Sequence, residues 1–299
     1  MNVLSLFDGI SCLQLALQRA NITYDNYFAS EIKKNAIKVT QHWFPNTVQL
    51  GDIRDVHYKD GVLYTKDKEY KIGHINLLAG GSCCQDFSLV NVSNPHKYGL
   101  EGDKSSIFYE FLRLLKETNP TYFLLENVKM RKSSKKQIDD YLGVIGIEIN
   151  SCLVSYQNRP RIYWTNIGGV EQPIDKHISF QDYIEKDIEE CRKYKLNKTK
   201  YFIKAWNNGN GKNNIATGCA NITHSDKIYC LRTKQARIPN SGLIECEDFC
   251  RYLTRREIEQ AQTLPVGYTD MLSYNQMQDV CGDGWTVDVI AHILRGIKE

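Results

Sequence analysis

The chain has 299 residues, 42% apolar and 24% charged, the make-up of an ordinary globular protein large enough for one big domain or two smaller ones. No run approaches the roughly 20 apolar residues of a membrane span, and MNVLSLFDGI meets an Asp at position 8 without a basic start, which argues against a secretory signal. The net charge is only +3, yet residues 195–240 carry nine Lys or Arg against one acid, Asp226, and KMRKSSKK (129–136) is a second basic cluster. Either cluster alone reads as a solvated face; the two together favour a polyanion partner, most simply nucleic acid.

In chain order, NVLSLF (2–7) reads as a first buried strand closed by the turn DGIS, with a helix over LQLALQRANI. YDNYFAS is a strand ending at Glu31. A helix near 33–42 follows, then VQLGDI ending at Asp52. INLLAGG (75–81) is a further strand, leading into GGSCCQDFS (80–88) with its adjacent cysteines. SSIFYEFLRLLKET (105–118) is apolar at 107, 108, 111, 112, 114 and 115, an amphipathic helix. TYFLLENV (121–128) is a buried strand, QIDDYLGVIG a helix and INSCLVSY a strand. This alternation predicts an α/β fold on a largely parallel, covered sheet.

Near residue 168 the pattern changes. Residues 170–250 are richer in Asn, Lys, Tyr and Gly, with NNGNGKNN (207–214) as an exposed loop, and predict a smaller, irregular, basic module. RYLTRREIEQAQTLP (251–265) then reads as a helix opened by Thr254, with Glu257 three residues on as a capping box. TVDVIAHILRGIKE is a final amphipathic helix. The ten cysteines are scattered and none shows C-x-x-C spacing, so free thiols in a reducing compartment are expected.

Ligands of open α/β sheets sit beyond the carboxyl ends of the strands, and those ends carry chemistry here. FDGIS (Phe7, Asp8, Gly9, Ile10, Ser11) permits close backbone approach without the full G-x-G-x-x-G pattern. Glu31 is placed to take ribose hydroxyls, and Asp52 to accept from an amine such as adenine's, with Ile32 and Ile53 beside them. Each acid alone also reads as a turn or cap residue; three successive ends together favour a nucleoside-containing cofactor. Glu126, directly after YFLL, is a half-buried proton donor by position, or the partner of a structural arginine. Arg159 and Arg161, at i and i+2 of an extended segment, point the same way and suit an anion or carbonyl.

Taken in order, these elements resemble the DNA cytosine-5 methyltransferases. FDGIS resembles that family's first cofactor motif, and Glu31 and Asp52 its second and third. GGSCCQDFS stands where the family has glycine-glycine-proline-cysteine-glutamine. Glu126-Asn127-Val128 and Gln157-Asn158-Arg159-Pro160-Arg161 match two further motifs. RYLTRREIEQAQTLPVGYT and GDGWTVDVIAHIL are similar to the two C-terminal ones. The resemblance covers 2–168 and 250–297, leaving out the basic insert.

The resemblance implies a Rossmann-like class I methyltransferase sheet with a smaller, irregular target-recognition domain. The expected parts are catalytic 1–168, recognition 169–249, and a segment 250–299 returning to the catalytic part. It implies S-adenosylmethionine as donor, S-adenosylhomocysteine as product, and double-stranded DNA as partner, with no metal and no membrane. Cys84 falls on the family's nucleophile and Cys83 on its proline. A thiolate adds to carbon 6 of a flipped-out cytosine and makes carbon 5 nucleophilic. Glu126 would act at N3, Arg161 at the base carbonyl, and Arg159 there or at a phosphate. Asp283, Gly284, Trp285 and Thr286 would line the donor pocket, with Asp283 in place of the usual asparagine. Gln85, Ser88, Arg232, Lys234 and Arg237 are the candidates for DNA contact, and HKYGLEGDKSS (96–106) for a closing loop. The cytoplasm of a bacterial or phage-infected cell is the expected location, or the nucleus of a eukaryote. The family's tRNA-methylating branch, an inactive DNA-binding homologue and an altered donor stand as alternatives.

Overall fold

A computed structural model describes residues 1–81, 106–196, 220–233 and 241–298. The chain forms two compact units. One comprises Met1–Ile149, Pro160–Gln172 and Ile290–Glu299; the other comprises Asn150–Arg159 and Pro173–Val289. Among the described residues, no helix is long and apolar enough to cross a membrane.

The first unit opens with β1 (Asn2–Leu6), α1 (Cys12–Arg19), β2 (Asn26–Ser30), α2 (Lys34–Trp43) and β3 (Val48–Gln49). Next come β4 (His57–Lys59), β5 (Val62–Tyr64) and β6 (Glu69–Lys71), then β7 (Leu77–Gly81), α3 (Ser106–Thr118), β8 (Tyr122–Val128), α4 (Lys132–Leu142) and β9 (Ile147–Asn150). After the two-residue β10 (Gln157–Asn158), β11 (Pro160–Thr165) returns to the sheet. The strand order is β3-β2-β1-β7-β8-β11-β9. The pairs from β3 through β8 are parallel, and β11 runs antiparallel to β8.

A strand paired on both edges and covered on both faces must be apolar on both. Accordingly Val3, Leu4 and Leu6 of β1 are fully buried. The apolar stripe of α3, through Phe108, Phe111, Leu112 and Leu114, packs into one cluster with Leu4, Leu6, Leu78, Leu125 and Trp164. Each such side chain contributes about 1.5–3 kcal/mol by leaving water.

Three local differences from the sequence reading have physical causes. The antiparallel sheet β4-β5-β6 was not anticipated. Its first turn is Asp60–Gly61, with φ of 50° and 80°, a two-residue hairpin signal of the Asp-Gly kind. Helix α4 starts earlier than QIDDYLGVIG, because Lys135 and Lys136 of the basic cluster pair with Asp139 and Asp140 one turn on, at 2.8 and 2.7 Å. With Lys129 bound to Glu148 at 2.8 Å, three of the five basic residues in 129–136 have an acidic partner nearby. INSCLVSY stays extended only to Asn150, whose Oδ1 accepts from the N–H groups of Cys152 and Arg159 and turns the chain.

The second unit is less regular. It contains α5 (Ile188–Arg192), β12 (Ile228–Tyr229), β13 (Ile244–Glu245), β14 (Cys250–Arg251), α6 (Arg255–Ala261) and α7 (Tyr274–Asp283); α8 (Val287–Leu294) begins in it and ends in the first unit. Strand β12 pairs in parallel with β10. Helix α6 opens with the expected capping box, Thr254 and Glu257 bonding reciprocally. Glu257 also receives a two-pronged ion pair from Arg251, Nη1 and Nη2 each 2.8 Å from a carboxylate oxygen, and both residues are wholly buried. Lys227, one of the basic residues of the insert, donates to the carbonyls of Cys152, Ser155 and Ile178. Its ammonium is therefore committed to folding, not to phosphate.

Candidate active site

The strand ends of the first unit assemble most of the expected chemistry. Beyond β1, the loop Phe7–Ser11 has positive φ at Phe7 (57°), Gly9 (61°) and Ser11 (55°). Two non-glycine residues in the left-handed region within five positions cost on the order of 1–3 kcal/mol each and need support from their surroundings. That support is buried and polar. Asp8 accepts from the hydroxyls of Ser11 and Tyr27, Gln14 donates to Ser11 and Thr47, and Ile10 is buried. Burial pushes the Asp8 carboxyl above its usual range, against the hydrogen bonds from Ser11 and Tyr27.

Glu31 follows β2 directly. One carboxylate oxygen accepts from Gly9 N–H (2.9 Å), the other from Ile32 and Lys33 N–H (2.8 Å each). A carboxylate offers about four acceptor positions, so the three bonds leave it room for a ligand hydroxyl. Asp52 is used differently from the expectation. Its Oδ1 accepts from the backbone N–H and Nε of Arg54, and its Oδ2 pairs with the same guanidinium. These bonds hold its carboxyl below the usual range, and it caps the short turn that begins at the buried Ile53. An amine ligand would have to displace Arg54.

Beyond β7 and β8 the registers bring two charged groups together. Gly81 lies opposite Glu126, and Arg161 of β11 lies opposite Val128. Arg161 is therefore the diagonal neighbour of Glu126 on one face of the sheet, and its Nε lies 3.0 Å from Glu126 Oε1 with both side chains largely buried. Gly80 makes the close strand packing here possible: a Cβ would stand 2.9 Å from the Leu6 carbonyl and 3.2 Å from its Cβ.

Arg159 and Arg161 do not act as a pair on one face. The extended run breaks between them, ahead of Pro160, which has no N–H for a ladder. Arg159 belongs to the second unit and is buried there. Its Nη1 donates to the Leu231 carbonyl (2.8 Å) and Cys230 Sγ (3.3 Å), its Nη2 to the carbonyls of Gly282 (3.1 Å) and Gly284 (2.8 Å). Four of five guanidinium N–H groups are thus given to the protein itself.

In the same unit, Asp283 ends α7 and Gly284–Trp285–Thr286 lead into α8. Thr286 is fixed in a buried network that sequence reasoning missed. Its hydroxyl donates to Gln262 Oε1 (2.9 Å) and accepts from Ser151 (2.8 Å), while Gln262 Nε2 donates to the carbonyls of Cys281 and Gly284. The only hint in the sequence was two glutamines, 157 and 262, at positions otherwise reading as core. Arg232 is exposed. Cys83, Cys84, Gln85, Asp86, Ser88, the segment 96–105, Lys234 and Arg237 lie outside the described residues.

The family described as C-5 cytosine-specific DNA methylase matches residues 1–299. The orphan methyltransferase M.SPRI of Bacillus phage SPR is 28% identical over 210 residues, 66% of this chain and 44% of that protein. The type II methyltransferase M.NgoBV of Neisseria gonorrhoeae is 29% identical over 184 residues, 54% and 40% respectively. The chain thus matches less than half the length of these curated relatives. Among solved structures, the Entamoeba histolytica methyltransferase EhMeth shares the fold, with a TM-score of 0.72 at 16% identity over 100% of this chain and 99% of that one.

Proposed function

Because the chain belongs to the C-5 cytosine-specific DNA methylase family, whose members use S-adenosylmethionine, we propose that it methylates carbon 5 of cytosine in double-stranded DNA. The observation that carries this reading is the Glu126–Arg161 pair at the end of β8, with Gly81 opposite Glu126. In the sequence, Cys84 follows Gly81 by three residues. The reading takes the Cys84 thiol to act in the same strand-end region as the Glu126 carboxyl and the Arg161 guanidinium.

In this reading the Cys84 thiolate adds to carbon 6 of the flipped base. Glu126 holds the proton at N3, which drains charge from the ring as the C6–S bond forms. Arg161 orients Glu126 and donates to the base carbonyl. The residues present fit the donor: Glu31 retains acceptor capacity for ribose hydroxyls, and the loop Phe7–Ser11 is braced for close backbone approach. Held by Glu31 and the Phe7–Ser11 loop, S-adenosylmethionine would supply the electrophilic methyl group for carbon 5, with S-adenosylhomocysteine as the product. Transfer of the carbon 5 proton to a solvent water or hydroxide, as the C6–S bond breaks, then releases the Cys84 thiolate and restores the aromatic ring. The region 169–249 is assigned to target recognition, and 1–168 with 250–299 to catalysis and donor binding. The phage and type II relatives favour DNA as the substrate and a bacterial or phage setting.

The test is methyl transfer to unmodified DNA and, in parallel, to tRNA, read at base resolution, with Cys84→Ser and Cys83→Ser alongside. Methylated cytosines in one DNA context, lost only in Cys84→Ser, support the reading. Methylation of tRNA alone, or loss in Cys83→Ser instead, contradicts it.

A further inference from the structure

Resting on that reading, we propose that Arg232 is a specificity-determining residue that reads a guanine edge in the target, and that Gln157, Arg159 and Gly282 are positioning residues that fix its backbone. The segment Ile228–Thr233 is held from several directions within the second unit. Gln157 and Asn158 pair in parallel with Ile228 and Tyr229. The Leu231 N–H donates to Gln157 Oε1 at 2.9 Å, and Gln157 Nε2 is itself tied to the Ala261 carbonyl (3.0 Å) and Gln262 Oε1 (3.1 Å). Gln157 is wholly buried, so it cannot swing away without stranding polar groups in the core. Arg159 grips the Leu231 carbonyl from the other side and anchors it to the carbonyls of Gly282 and Gly284.

Gly282 supplies an independent constraint. A Cβ on it would lie 2.3 Å from the Arg232 carbonyl carbon, 2.5 Å from Thr233 N and 2.6 Å from the Arg232 oxygen. All three are backbone atoms, so no side-chain rotation can relieve the clash. The Tyr229 N–H also donates to the Ser241 carbonyl at 3.3 Å, a further tie within the second unit. Upon this fixed backbone Leu231 is buried and Arg232 is exposed.

That combination distinguishes base reading from phosphate binding. A point charge on a loose tether serves for a phosphate. A guanidinium fork reads the O6 and N7 of guanine only when its Cα is held in register with the groove.

The experiment methylates a DNA library randomised around cytosine with wild type, Arg232→Lys, Arg159→Lys and Gly282→Ala, and follows hydrogen exchange over 228–233 in each. Arg232→Lys keeps the charge and loses the fork. It is expected to relax preference for guanine at one position about tenfold while the salt dependence of DNA binding stays unchanged. Arg159→Lys and Gly282→Ala are expected to relax the same position and to speed exchange over 228–233. If Gly282→Ala does not fold, Arg159→Lys carries the positioning claim. Unchanged preference in folded Arg232→Lys overturns the proposal, as does a uniform loss over all sequences with a shallower salt slope. If wild type modifies no DNA, the function above fails and the guanine-reading role with it; the exchange data then decide the positioning claim alone, lost protection in the variants keeping it and retained protection ending it.

Discussion

Replacing Arg251 by Met tests the ion pair on which the start of α6 is built. Glu257 accepts from Arg251, from the N–H groups of Glu185 (2.8 Å) and Thr254 (2.7 Å), and sits with its partner wholly out of water. Removing one member of a buried pair leaves an uncompensated charge and costs about 3–5 kcal/mol. Arg251 Nε is buried without a hydrogen-bond partner, a liability of about 1 kcal/mol that Met removes. The expected net loss is about 2–4 kcal/mol, read as a shift in the urea midpoint at constant slope. Because the pair is dry, the loss should be the same in low and high salt. The double variant Arg251→Met/Glu257→Gln has no buried charge, keeps an acceptor for the helix start, and should regain at least half of the loss. A single-variant loss under about 1 kcal/mol, or a double variant no better than the single, would refute the reasoning.

Glu126→Gln keeps the shape beside Arg161 but cannot move a proton; the single-turnover methylation rate should fall about 10²–10⁴-fold with DNA affinity intact, and a fall under tenfold would remove Glu126 from that step. Glu31→Ala strips the acceptor from three backbone N–H groups and from the proposed ribose contact, so calorimetric affinity for S-adenosylhomocysteine should drop at least about tenfold; an unchanged affinity would place the donor elsewhere. Asp139 gives a pH dependence. Burial opposes its ionisation, but bonds from Lys135, Gly146 and Trp164 outweigh this and hold its carboxyl below the ordinary 3.8. A depressed folded value means stabilisation that is present above the unfolded value and lost as pH falls through the folded one. The urea midpoint of Asp139→Asn should therefore vary less than that of wild type as pH is lowered from about 5; parallel curves would show that Asp139 is not responsible.

Legibility in the sequence followed the range of each interaction. The capping box at Thr254 and Glu257 is written within three residues and was readable as it stands. Glu31 and Glu126 were readable because a buried parallel strand is a continuous apolar run, and the acids fall where that run gives out, Glu31 just after β2 and Glu126 within the last three residues of β8. The ion pairs of the basic cluster 129–136 were not legible because its counter-charges, Asp139, Asp140 and Glu148, fall beyond its edge and come near only when α4 and β9 form. The divergence of Arg159 and Arg161 turns on Pro160 and on partners at Leu231, Gly282 and Gly284, some 70 to 125 residues away, which no local pattern encodes. Asp52 could be read as a ligand or as a cap, and a neighbouring arginine two residues on was the signal for the latter. The hairpin at Asp60–Gly61 carried a legible turn that was overlooked between two longer strands.

The first unit is discontinuous in sequence. The residues that complete it come last: His292 bonds to the Glu171 carbonyl, Tyr122 to the Lys298 carbonyl, and Gly296 packs directly on the Gly168 carbonyl. On a ribosome adding about 5–20 residues each second, the stretch between Gln172 and Ile290 takes roughly 6–24 s to emerge. For that time the sheet bearing Glu31, Glu126 and Arg161 stands without its closing helix, its flank at Ile167 open to solvent. Completion of the first unit's core is therefore a late event of synthesis.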